Sequence, residues 1–228
     1  MLEKKMNSNV KSKVKAGKKL LVVSAISTVL LVGGISAYFT ATDSATNTWT
    51  VGTGVDIELQ ENLYDAATAE RSAITPNQEL TKDPKIKNTG GNSAYVFAKV
   101  TVPKANVKVA SDDGSQVSQD LQELFTYQVN SGWTLVTSSE TTTTATYIYA
   151  YGSATACTAL APNSTTPVLF SGNKIKFKNI VEDANLQGTT LNLPVEGFAI
   201  QSADLTSEDV TAPAAVWNVL SGQIAAAN

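Results

Sequence analysis

An all-β fold, an antiparallel β-sandwich with one or two short helices, is the class this sequence predicts. Three observations carry it: apolar residues recur mainly with period two, Gly, Pro and Asn punctuate the chain about every ten positions, and no regular helices alternate with the strands. The last point argues against a parallel α/β sheet.

The elements run in order along the chain. Val51, Val55, Ile57 and Leu59 alternate with Gly52, Asp56, Glu58 and Gln60, the pattern of a half-buried strand. Asn88-Thr89-Gly90-Gly91-Asn92 is a turn, since Gly and Asn accept positive φ. In the strand Ala94–Val102, one face carries Ala94, Val96, Ala98, Val100 and Val102. The other face carries Tyr95, Phe97, Lys99 and Thr101, and Pro103 is expected to close the strand. Gln116–Phe125 reads as a short helix with Leu121, Leu124 and Phe125 on one face. Tyr127–Val129 and Trp133–Val136 flank Asn130-Ser131-Gly132 as a hairpin. Thr141–Tyr151 is rich in Thr and Tyr, which fit a pleated surface, and the polar run Ser138–Thr146 reads as an exposed strand or loop. Val168–Phe170, Ile175–Ile180, Thr190–Leu193 and Phe198–Ile200 are further strands. Ala214–Leu220 follows Pro213 as a helix, with Val216, Trp217 and Leu220 at helical spacing. Both helices are expected to pack on the sandwich.

Ahead of the strands lies a leader. Lys4, Lys5, Lys11, Lys13, Lys15, Lys18 and Lys19 precede the apolar run Leu20–Ile35, which ends in the small residues Gly33, Gly34, Ser36 and Ala37. That order is a secretory signal, a helix cut after Ala37. The competing reading is an uncleaved anchor, because Leu20–Ala37 spans 18 residues. Ser24, Ser27, Thr28, Gly33 and Gly34 make it a poor one. The expected organisation is a signal peptide at 1–37, an N-terminal segment at 38–52 and a sandwich at 53–228. Membrane contact is then confined to the leader before cleavage. Removing seven lysines and Glu3 leaves 10 basic and 19 acidic residues, a net charge of −9. Such a surface does not hold nucleic acid through its phosphates, and it suits a soluble extracellular protein.

Much chemistry is excluded. The chain has no histidine, which removes histidine-ligated zinc sites, Ser-His-Asp triads and Cys-His dyads together. No phosphate-binding or dinucleotide loop is present, and no cofactor or metal is expected. Cys157, the single cysteine, cannot form an intramolecular disulfide and reads as a small buried hydrophobe. Asp56 and Glu58 share a strand face, with Glu61 and Asp65 nearby. Paired carboxylates can hydrolyse glycosides, but a solvated face is the better reading. Asp112-Asp113-Gly114 lacks the remaining spacing of a calcium loop and reads as a turn. Leu193-Pro194-Val195-Glu196-Gly197 has Glu where a sortase motif needs Thr, so wall anchoring is rejected.

Three segments carry a resemblance. The first is the junction Gly33-Gly34-Ile35-Ser36-Ala37-Tyr38-Phe39-Thr40, continuing through Asp43–Gly52 and Val55–Glu61. The second is Pro76–Gly90 leading to Tyr95–Val100. The third is Leu160–Phe170 with Gly197–Gln201 and Trp217. Together they resemble the TasA and camelysin (CalY) family of Gram-positive secreted proteins, which are processed by the dedicated signal peptidase SipW. The resemblance implies a jelly-roll sandwich and a subunit of extracellular biofilm-matrix or cell-surface fibres that self-associates into filaments. It further implies that a mature N-terminal strand completes a neighbour's sheet. Tyr38, Phe39, Thr40, Ala41, Thr42, Asp43 and Ser44, released by a cut between Ala37 and Tyr38, are the candidate donor strand. Such a head-to-tail contact propagates rather than closes. Three alternatives stand beside it. Residues 38–49 are a tail or a strand of their own sandwich; the protein is a monomeric surface adhesin; or it is a metalloendopeptidase, as some relatives are described, despite the missing histidines.

Overall fold

The computed structural model describes residues 54–227 apart from 112, 114, 116–118, 182–185 and 206–209. The expected leader, the cut at Ala37 and Tyr38, the donor residues Phe39, Thr40, Ala41, Thr42, Asp43 and Ser44, and the strand start at Val51 lie outside the described residues. What is described is an all-β sandwich built of antiparallel sheets.

The first sheet has the order β10 (Val195–Gln201), β4 (Ala94–Val107), β8 (Thr144–Tyr151) and β7 (Trp133–Glu140). β4 is central because both of its faces are apolar. Val96, Ala98, Val100 and Val102 face the core between the sheets, while Tyr95 and Phe97 face the other way. Pro103 does not close β4, which runs on to Val107. The position tolerates proline because the carbonyl of Leu124, its neighbour on that side, accepts from the Lys178 N–H, so no ladder bond is asked of the proline nitrogen. The Pro103 carbonyl accepts from the Leu124 N–H at 2.9 Å.

The segment around Leu124 also departs from expectation. The described part of Gln116–Phe125 is not helical. It forms β5 (Asp120–Glu123), which pairs with the far end of β4, and then β6 (Phe125–Thr126) in the other sheet. Pairing with Lys104–Val107 overrides a helical spacing that rested on three apolar residues, one of which, Leu121, is exposed. The hairpin centred on Ser131 is also corrected. β7 pairs with β8 across a turn at Thr141–Thr143, and the Tyr127–Val129 stretch crosses to the second sheet, where Val129 bridges Phe170. Residues 190–193 form no strand.

The second layer consists of β1 (Ile57–Gln60) paired with β3 (Lys85–Asn88), and of β2 (Glu79–Thr81), β9 (Lys174–Phe177) and β6 in that order. Residues 164–170 join the two pieces, bridging β3 at Lys87–Thr165 and leading into β9. Alternation decides the faces: Ile86, Ile175 and Phe177 are buried, while Lys174 and Lys176 are exposed. Phe125 and Phe177 meet at 5.4 Å and join Leu169 and Phe170 in the shared core.

The far side of the first sheet is covered by α2 (Pro213–Ala227), longer than the Ala214–Leu220 expected. Val216 and Leu220 pack on Phe97, Ile148 and Ile200, and Trp217 lies 5.3 Å from Phe97 and 5.9 Å from Phe198. Burying a side chain such as Phe97 is worth about 2 kcal/mol. The short helix α1 (Asn62–Ala66) and a 3-10 turn at Thr68–Arg71 bury no residue. They lie between β1 and β2 and wall one side of a groove beside β2.

Candidate functional site

The edge of β2 is the least finished part of the sandwich. In an antiparallel ladder, successive residues offer their backbone groups to opposite sides. On the β9 side, the Lys82 N–H donates to the Asn173 carbonyl and the Phe177 N–H to the Gln78 carbonyl, both at 2.8 Å. The backbone groups of Glu79 and Thr81 therefore point away from β9. No strand among the described residues pairs with that edge. Its neighbour is the 3-10 turn, and the contact is made by a side chain: the Thr81 N–H donates to the Glu70 carboxylate at 2.7 Å. That backbone hydrogen bond, helped by the Thr81 side chain, holds the Glu70 carboxyl below its ordinary pKa.

Beside this edge opens a groove of about 760 Å³. Its walls mix apolar side chains, Ile74, Leu80, Phe125, Ile175 and Phe177 among them, with polar ones, Tyr64, Arg71 and Lys82 on one stretch and Gln187, Thr189, Thr190 and Asn192 on another. Two cations lie over the Tyr64 ring, the Arg71 guanidinium at 4.1 Å and the Lys82 ammonium at 4.4 Å from its centroid. Arg71 also donates to the Tyr64 carbonyl. Lys82 is paired with Glu61 at 2.9 Å, and both side chains are largely buried. Asp83, 2% exposed, accepts from the backbone N–H groups of Leu63 and Tyr64 and so caps α1 from a distant part of the chain.

The carboxylates singled out from sequence do not converge. Asp56 and Glu58 are exposed; the first accepts from the Ile57 N–H and the second from the Gln60 amide. Glu61 is committed to Lys82, and Asp65 is exposed. Asp113 accepts from the Ser115 N–H and hydroxyl, as a turn residue does. Among the described residues, no group of three His, Cys, Asp or Glu is placed to hold a metal ion. Cys157 is buried, and burial pushes its thiol up to about 11. Sequence reasoning missed Glu70, Thr81 and Asp83. Asp83 had one local signal, an acid placed between Lys82 and Pro84 in an otherwise strand-like stretch. Glu70 had none, because its partner is eleven residues away.

The family model described as camelysin metallo-endopeptidase matches residues 9–149, from the lysine-rich leader through most of β8. No curated protein and no solved structure matches the chain. The donor set does not fit the metal centre that the family's description implies: no histidine is present, and the carboxylates nearest the groove are spent on Lys82 and on backbone N–H groups. The match nevertheless extends over more than half of the sequence, and on it the chain belongs to the camelysin family.

Proposed function

We propose that the chain is a secreted structural protein, a subunit of extracellular matrix or cell-surface fibres of a Gram-positive bacterium, joined head to tail by strand addition. Residues 38–44 of one copy, freed by cleavage after Ala37, pair with a sheet edge of the next. The family membership and the leader motif support this reading.

One geometric relation carries it. The carbonyl of Gly54, the first described residue, accepts from the Gly91 N–H at 3.2 Å, just beyond the Asn88 end of β3. The unpaired edge of β2 lies seven residues back along the chain, at Thr81, before the Lys82–Pro84 link into β3. A donor and an acceptor on different parts of the chain give a heterologous contact, which builds filaments and not closed dimers.

Electron microscopy of the chain beginning at Tyr38 is expected to show filaments, and deletion of residues 38–44 to abolish them while leaving a folded monomer. Normal filaments from the shortened chain would sink the reading. Intact mass of the secreted protein tests the cut itself. The family's description supplies the runner-up, proteolysis. Chelator-sensitive digestion of casein by the purified chain would favour it over the structural role.

A further inference from the structure

We propose that the β2 edge, with the groove beside it, is the acceptor for an extended strand, residues 38–52 of a second copy, and that Glu70 is its displaceable plug. The proposal rests on the head-to-tail reading and adds the site and its control. Three observations support it.

The first is mimicry. An added antiparallel strand would offer a backbone carbonyl to the Thr81 N–H. The Glu70 carboxylate already sits in that place, at 2.7 Å. An edge satisfied by a side chain is protected from chance pairing but keeps its geometry for a strand.

The second is cost. The segment carrying Glu70 is lightly held: neither α1 nor the 3-10 turn Thr68–Arg71 buries a residue, and the backbone of the turn makes no hydrogen bond to β2. Ala73, just beyond, has φ 53°, a left-handed conformation that is unfavourable for a residue with a Cβ. Segments with few buried contacts open at low free energy. Asp83 anchors α1 through Leu63 and Tyr64, so displacing the turn from β2 breaks the contacts of Arg71 with the Tyr64 ring and carbonyl but leaves α1 in place.

The third is fit. Leu80, Ile175 and Phe177 line the groove directly beside the edge. A strand paired there would place every second side chain against them. Read as a strand, segment 38–52 would carry Phe39, Ala41, Ala45, Trp49 and Val51 on one face, interrupted by Asp43 and Asn47, and it holds no proline. Fully extended, its fifteen residues reach about 50 Å, enough to cross into a neighbour.

The test uses the chain beginning at Tyr38 and a fluorescent peptide of residues 38–52. Peptide affinity is read by anisotropy, and the Thr81 amide by hydrogen exchange. Glu70→Ala is expected to bind the peptide roughly fivefold more tightly, the return of one exposed charge-assisted hydrogen bond. Glu70→Gln, which keeps an oxygen acceptor, should fall between. In free Glu70→Ala the Thr81 amide exchanges faster than in the wild type, and bound peptide restores its protection. A merely structural Glu70 would not give that restoration. Equal or weaker binding by a folded Glu70→Ala, peptide that binds neither protein, or bound peptide that leaves Thr81 unprotected each overturns the proposal. Filaments that form normally alongside unchanged peptide binding in Glu70→Ala leave the assembly reading standing and remove the plug. Tightened peptide binding without filaments does the reverse.

Discussion

The hydroxyls of Tyr127 and Tyr149 meet at 3.2 Å inside the sandwich, one residue from each layer, with their rings at 71°. Tyr127 also leans on Phe170 at 4.6 Å, and Tyr147 stacks on Tyr149 while donating to Glu123. A ladder of phenols thus ties the two sheets together.

Burial raises the pKa of all three tyrosines above the ordinary value of 10.0, most strongly for Tyr127. The folded state therefore resists phenolate formation and the unfolded state does not. The stability this represents is complete below pH 10 and is lost as pH rises above it. The midpoint of thermal unfolding should fall steeply above that pH. Tyr127→Phe should flatten the fall while costing about 1 kcal/mol at neutral pH. A pH-independent midpoint across this range would contradict the burial of the phenols.

Asp83 joins the β2–β3 link to the start of α1. Asp83→Ala removes the acceptor shared by two backbone N–H groups, from a residue almost without solvent. Urea unfolding should show a loss of about 2–3 kcal/mol, with Asp83→Asn recovering part of it.

Two glycines should respond with opposite sign to alanine. A Cβ at Gly90 would stand 2.6 Å from the Asp56 nitrogen and 2.7 Å from the Gly54 oxygen, both backbone atoms. Gly90→Ala should cost about 2 kcal/mol or more. Gly222 lies within α2 with open space around it. There alanine should gain about 0.5–1 kcal/mol, because glycine is a poor helix residue. Denaturation midpoints of the two variants decide both.

Cys157 should be silent towards thiol reagents in the folded protein. Its pKa of about 11 leaves little thiolate at pH 8, and its side chain is buried. Iodoacetamide should label it only as fast as the chain opens, and urea should raise the rate sharply. Rapid labelling of the native protein would show that the 152–157 loop is open.

The sequence exposed those features that are repeated locally. β4 was legible because alternation continues through nine residues, and α2 because Val216, Trp217 and Leu220 recur at helical spacing. The failures share one cause. Leu121 and Phe125 look helical, but strand pairing sets them opposite Asn106 and Phe177, far away in sequence. Pro103 looks like an end, but only the distant Leu124, whose carbonyl turns to Lys178, decides whether its missing N–H matters. The Glu70–Thr81 contact was invisible for the same reason, being fixed by which side of β2 is left without a strand.

The two coverings of the sheet at Phe97 are made at different times. One neighbour of this ring, Val216, is added to the growing polypeptide long after β4 has emerged. Until then the aromatic side of the sheet lacks its helix. Each newly made molecule therefore passes through an interval in which its central strand is sticky on the side that the helix later hides.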